Sequence, residues 1–253
     1  MKLKSKLLLA LLATSSAAFA QTAPAAPEVT YNVGVVSQYR YRGLAQTKGQ
    51  PALQGGVDYA NASGYYAGAW ASQIQWIKDS ASSITNPGYS GSTELDLYGG
   101  YKFESGGLAY DVGFLRYQYS GNNLSKLGEY TNPNTNEVYA AATSGAYTFK
   151  YSYSLSTLFG YIGSKGSDYF DLSANYDMGS GITLTPHIGR AIIPGNGNVS
   201  YTDGSLTVAK DLGDGLSVTA AAVVTNAKAS FFNSYSNYAT GKSAVVIGLK
   251  YGF

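Results

Sequence analysis

The sequence predicts an all-β fold: an antiparallel, up-and-down transmembrane barrel of about twelve strands. Three observations carry this. After residue 20 no apolar run approaches the ~18 residues that a membrane helix needs. Segments of about nine to twelve residues alternate apolar and polar side chains with period two. The links between those segments alternate long and short. Composition agrees: 24 Tyr and 31 Gly against 7 Pro and 2 Met favour pleated, closely packed strands over helices.

At the N-terminus, Lys2, Lys4 and Lys6 precede the apolar run Leu7 to Leu12, and Ala18-Phe19-Ala20 supplies a small-x-small cleavage pattern. This is the layout of a secretory signal peptide over residues 1–20, too short in its apolar core to span a membrane. Cleavage removes three of the 17 Lys and Arg and none of the 15 Asp and Glu, leaving 14 against 15 and a net charge of −1. No clustered basic surface points to nucleic acid. With 0 Cys neither a disulfide framework nor a lipid-anchored Cys is available. Residues 21–29, with Pro24 and Pro27 among small residues, read as a periplasmic lead-in.

Residues 30–253 then read as barrel. Strands are expected near 30–40, 51–60, 65–76, 93–103, 108–119, 137–144, 146–154, 167–177, 182–190, 200–211, 216–225 and 243–253. Asn61-Ala-Ser-Gly64, Glu104-Ser-Gly-Gly107, Ser144-Gly145, Met178-Gly-Ser-Gly181 and Leu212-Gly-Asp-Gly215 are tight turns of residues that accept positive φ. Residues 41–50, 77–92, 120–136, 155–166, 191–199 and 226–242 are longer links. Alternation of this kind belongs to outer-membrane barrels, with short periplasmic turns and longer external loops. A soluble β-sandwich could hold as many strands, but nothing would make its loops alternate.

The strand faces can be phased one by one. Val245, Ile247, Leu249, Tyr251 and Phe253 share one face of the last strand, opposite Val246, Gly248, Lys250 and Gly252. Tyr147, Phe149, Tyr151 and Tyr153 oppose Thr148, Lys150 and Ser152, and Leu184, Pro186 and Ile188 oppose Thr183, Thr185 and His187. In lipid every backbone group must be paired, so such strands close into a ring with apolar residues outward and polar residues inward. Two strands alternate poorly. Trp76 breaks the phase of the third and is expected in an interfacial girdle. Arg116 falls on the apolar parity of the fifth, which calls for a bulge or a position above the hydrocarbon band.

Several runs resemble a known family: Ser37-Gln-Tyr-Arg40-Tyr-Arg42-Gly43, Gln50-Pro51-Ala-Leu-Gln54-Gly55-Gly56, Gly64-Tyr65-Tyr66-Ala67-Gly68-Ala-Trp70, Glu94-Leu-Asp96-Leu-Tyr98-Gly-Gly100-Tyr101 and Val208-Ala-Lys210-Asp211-Leu212-Gly213. Together they are similar to the TorF-like porin family of proteobacteria, also catalogued as Gcw-chp. The resemblance covers essentially all of the exported chain and implies an outer-membrane barrel acting as a porin. It implies no substrate and no mapped functional residues.

Chemistry is thinly supplied. His187 is the one His and lies on a polar strand face; a Ser-His-Asp arrangement would have to be built around it, a zinc site lacks the His and Cys ligands it needs, and no enzyme activity, metal or cofactor is expected. The charges on inward parities carry more information. Arg40 and Arg42 at the external end of the first strand, and Glu94 and Asp96 at that of the fourth, are expected to line and select at the mouth of a pore. Lys102, Asp111, Lys150, Asp171, His187, Lys210 and Lys250 are expected along its walls. Such charges either border a water path or pair to close it. A barrel of this size has a backbone diameter of roughly 24 Å and a bore on the order of 10 Å at best.

The expectation is therefore a porin-like channel for passive diffusion of small hydrophilic solutes in the outer membrane of a Gram-negative cell. Its partners would be lipid, lipopolysaccharide and, during biogenesis, the barrel-assembly machinery, which would read Leu249, Tyr251 and Phe253. The rivals are a plugged structural or surface-interaction barrel and a barrel-embedded enzyme.

Overall fold

The computed structural model describes residues 27–81, 91–197, 199–232 and 238–253. The expected signal peptide and most of the lead-in lie outside these residues. The strands are β1 (Glu28–Val36), β2 (Ala52–Ala60), β3 (Tyr65–Gln73), β4 (Thr93–Ser105), β5 (Leu108–Gln118), β6 (Thr135–Ser144), β7 (Tyr147–Ser154), β8, broken at Asn175 into Asp168–Ala174 and Tyr176–Gly179, β9 (Ile182–Ile192), β10 (Tyr201–Gly213), β11 (Leu216–Thr225) and β12 (Ala244–Gly252). Every strand pairs antiparallel with its chain neighbours, and β12 closes the ring on β1 through Asn32↔Gly252 to Val36↔Gly248. Tyr31 and Phe253 extend the seam with two reciprocal backbone bonds of 2.8 and 2.9 Å. A closed ring leaves no edge groups unpaired, which is what permits strands to cross lipid.

The turns at one end are short because their residues allow it. Gly106 and Gly107 both take positive φ (59° and 79°), as do Asp214 and Gly215 (50° and 80°), the pairing a two-residue hairpin turn of the strand's own twist requires. The opposite end carries the long connections. They contain a small hairpin, Arg40–Tyr41 against Leu44–Ala45, a helix α1 (Trp76–Ala81) and a 3₁₀ turn at Leu124–Leu127.

The outside of the ring is apolar. Val29, Tyr31, Val33 and Val35 on β1, Phe149 on β7, Leu206 and Val208 on β10 and Val245, Ile247, Leu249 and Tyr251 on β12 are all exposed. Phe103 stacks on Tyr110 at 5.1 Å and Tyr31 on Phe253 at 5.7 Å, forming an aromatic girdle at the short-turn end. Apolar outside and polar inside is the arrangement of a membrane barrel, the inverse of a soluble one.

Two expectations change, and an open choice narrows. The first strand stops at Val36, and Arg40 and Arg42 belong to the hairpin that follows. The third stops at Gln73; Trp76 opens α1 and packs edge-on against Tyr119 at 5.4 Å, inside the loop cap and away from any girdle. Arg116 needs no bulge, because β5 pairs without a register shift on both sides. It sits two residues from the strand's external end, where Gln118 Oε1 and Asn136 Oδ1 accept its donors at 2.7 to 3.1 Å.

Candidate functional site in the barrel interior

Towards the short turns, inward tyrosines are folded onto the wall. Tyr98 is registered opposite Gly68, Tyr66 opposite Gly100 and Tyr139 opposite Gly113. A Cβ built on Gly68 or Gly113 would stand 2.5 Å from the facing ring, and one on Gly100 would stand 2.4 Å from the Tyr66 hydroxyl. The missing side chain is thus what lets each ring lie along the strand instead of across the bore. The phenols then reach acids on neighbouring strands: Tyr98 donates to Asp58, and Tyr66 to Asp111 at 2.6 Å while also meeting Tyr139. Lys102 sits 5.1 Å above the Tyr66 ring and Lys150 4.1 Å above Tyr139, cation–π placements that hold the ammonium groups in place.

Towards the long loops the hairpin crosses the interior. It leaves β1, and a Cβ on Gly43 at its tip would meet Asp203 of β10 at 2.6 Å. Arg42, with φ of 44°, reaches β6: its Nη1 and Nη2 donate to Glu137 Oε1 and Oε2 at 2.9 and 2.8 Å. The guanidinium lies over the rings of Tyr41 (4.9 Å) and Tyr169 (4.2 Å). Tyr41 and Tyr117 share a hydroxyl contact of 2.5 Å, and Tyr117 donates to Glu137 at 3.3 Å. Tyr39 and Tyr119 donate to the two oxygens of Glu94 at 2.5 and 2.6 Å. Burial, and then the charge of Glu94, hold the Tyr39 phenol well above its ordinary pKa, so it stays a donor. Around these polar contacts pack Val36, Ala52, Ile74, Ile77 and Leu124, all buried.

A third cluster surrounds His187. Nε2 lies 3.0 Å from Asp171 Oδ2, Nδ1 lies 3.9 Å from Asp203 Oδ1, and Tyr169 donates to Asp203 at 3.0 Å. Ser205 is registered opposite His187, yet its Oγ has no hydrogen-bond partner. Both ring nitrogens are turned to carboxylates, and the Tyr169 hydroxyl also lies 3.4 Å from Nε2.

Of the residues singled out from the sequence, Glu94, Asp96, Lys102, Asp111, Lys150, Asp171, His187 and Lys250 lie on the inward parity of their strands. Arg40 and Arg42 enter the interior on the hairpin and do not face Glu94 and Asp96 as a pair: Arg40 donates to the carbonyls of Thr240 and Lys242 at 2.9 and 2.7 Å. Lys210 is a correction. It shares the outward parity of Leu206, Val208 and Leu212, and its amine reaches past the barrel edge to the Ser180 carbonyl of a short turn, as a long stem on a lipid face does. Leu249, Tyr251 and Phe253 lie outward beside the seam.

Glu137 and Asp203 were missed, although parity marks them: exposed Val138 and exposed Leu206 and Val208 put both acids inside. Tyr39 and Tyr41 carried no such signal, because they act from a loop.

The closed ring, its apolar exterior and its hydrogen-bonded, charged interior define an integral membrane β-barrel. The chain belongs to the family described as "Bacterial protein of unknown function (Gcw_chp)", which matches residues 20–253. Its fold is similar to that of the KdgM porin in complex with disordered oligogalacturonate (TM-score 0.52, 7% identity, 89% of this chain and 98% of that chain). It is also similar to that of the NanC porin (TM-score 0.52, 9% identity, 89% and 99%). At such identity the likeness is one of fold. No curated protein sequence matches this one.

Proposed function

We propose that this barrel is a porin-like channel of the outer membrane for passive diffusion of small hydrophilic solutes, in line with the TorF-like resemblance. The observation that carries the reading is the set of Tyr–Gly pairs on the inner wall, Tyr98 with Gly68, Tyr66 with Gly100 and Tyr139 with Gly113. Filling a barrel calls for large side chains directed across it; here large side chains are laid along the wall, which keeps a polar bore. The shared fold with two porins supports the same reading. The narrow point is the inserted hairpin, whose reach to Glu137 limits passage to small solutes.

A second reading, a plugged barrel acting through its loop cap, draws on that hairpin and on the buried aromatic cluster around Tyr39, Tyr41, Tyr117 and Tyr119. Planar-bilayer recording on the purified, heat-modifiable barrel separates the two. Discrete ohmic steps are the expected result, and a silent bilayer with folded protein inserted favours the plug.

A further inference from the structure

We infer that the interior holds a subsite for a small organic cation, an ammonium group seated against Asp96 between the rings of Trp70 and Tyr117. The inference rests on the channel reading only in requiring that a solute can reach the interior. Trp70 on β3 and Tyr117 on β5 are the direct register partners of Asp96 on β4, one on each side and all inward. Asp96 makes no hydrogen bond or ion pair among the described residues, and its Oδ1 is buried without a partner. The neighbouring acids are already answered: Glu94 takes two phenols, and Glu137 takes both ends of Arg42. Lys102 and Lys150 are held over Tyr66 and Tyr139.

One carboxylate is thus left without a partner, away from bulk water, where its ionised form is costly without a counter-charge; a bound cation would supply that counter-charge. The kind of cation follows from the flanks. A hard metal ion collects several oxygen ligands, whereas a carboxylate with an indole and a phenol beside it offers one ion pair and two aromatic rings, the combination that suits alkylammonium groups. A carboxylate solute would bring Asp96 no counter-charge, so this subsite would not take an acidic oligosaccharide such as the oligogalacturonate found with KdgM.

The chain has 2 Trp, and Trp76→Phe leaves Trp70 as the sole indole reporter beside the subsite. Titrating that variant with tetramethylammonium chloride should give a saturable change in indole emission that sodium chloride at equal ionic strength does not. Adding Asp96→Asn, which keeps the shape and removes the charge, should weaken the apparent affinity at least about tenfold, the value of one good charge contact. Heat-modifiability on gels verifies that each variant is folded. An emission response no different from sodium, or a folded Asp96→Asn variant that binds as tightly, overturns the subsite. Should Asp96→Asn not fold, the tetramethylammonium-against-sodium comparison on Trp76→Phe alone decides. Because binding is read without current, conduction with no saturable response removes the subsite and leaves the channel; saturable binding in a silent barrel supports the subsite and removes the channel.

Discussion

In the short-turn half of the interior each polar contact is made within the wall. Tyr98, Gly68 and Asp58 lie on successive strands, and so do Tyr66, Gly100 and Asp111. In the long-loop half the hairpin adds contacts made across it: Arg42 meets Glu137 from 95 residues away, and Tyr39 meets Glu94 from 55. The first half is a property of the ring and forms when the ring closes. The second depends on a loop finding its place inside a ring already formed. It can therefore be lost while the barrel stands, since local openings cost less than global unfolding.

The sharpest break in that contrast is Arg42→Ala. Removing one partner of a buried ion pair costs about 3–5 kcal/mol, because the other charge is left stranded. Here Glu137 would be stranded, and the cost should appear locally as release of the hairpin, with the ring intact. Single-channel conductance should rise several-fold, and protease should cut between residues 37 and 50 while the heat-modifiable band persists. Arg42→Met with Glu137→Leu removes both charges at similar volume and should keep the hairpin in place, as paired apolar replacements of buried ion pairs often do. Unchanged conductance in Arg42→Ala, with a protected hairpin, would show that the loop is as fixed as the wall.

The ring itself is tested from outside. Leu249 faces outward on β12, next to the seam with β1. Leu249→Arg places a charge on the lipid face, at up to about 4 kcal/mol near the midplane and less towards the interface. Both halves should fail together, seen as loss of the heat-modifiable form and of outer-membrane yield. Phe253→Ala, at the rim, should lower yield less. Normal yield from both variants would remove these residues from assembly.

The ring was legible in the sequence because period-two alternation and turn chemistry are local. The turns Glu104-Ser-Gly-Gly107 and Leu212-Gly-Asp-Gly215 lie where their residues place them, and β12 carries the face that Val245 to Phe253 announced. Lys210 was misassigned because Lys carries weak phase information: a long amphipathic stem sits on either face near a barrel end. The hairpin was not legible. Residues 37–40 read as the end of the first strand, nothing periodic marks residues 41–50, and the partners of Arg42, on β6 and β8, lie beyond any local window. Tyr was ambiguous by residue type, since girdle, lumen and cap all use it; parity separates Tyr98 inside from Tyr101 outside, and the facing glycine marks Tyr98 as lying on the wall.

That facing glycine allows the smallest and most specific test. A Cβ at Gly68 would lie 2.5 Å from two ring atoms of Tyr98 and 2.6 Å from its hydroxyl. Gly68→Ala must therefore lift the ring off the wall, and the bond to Asp58 goes with it. The strand has no reason to move, because the clash is with the far end of a side chain. Overpacking of this kind costs about 1–3 kcal/mol, and a ring turned into the bore should lower conductance without changing yield. Tyr98→Ala alone should widen the bore. With the ring gone, adding Gly68→Ala should change nothing further, so the double variant should conduct like Tyr98→Ala. Contacting pairs show coupling of roughly 0.5–3 kcal/mol in such cycles, and coupling in that range is expected here. Parental conductance in Gly68→Ala would mean that Tyr98 can shift without entering the solute path, and the short-turn half would then owe its open bore to something other than these tyrosines.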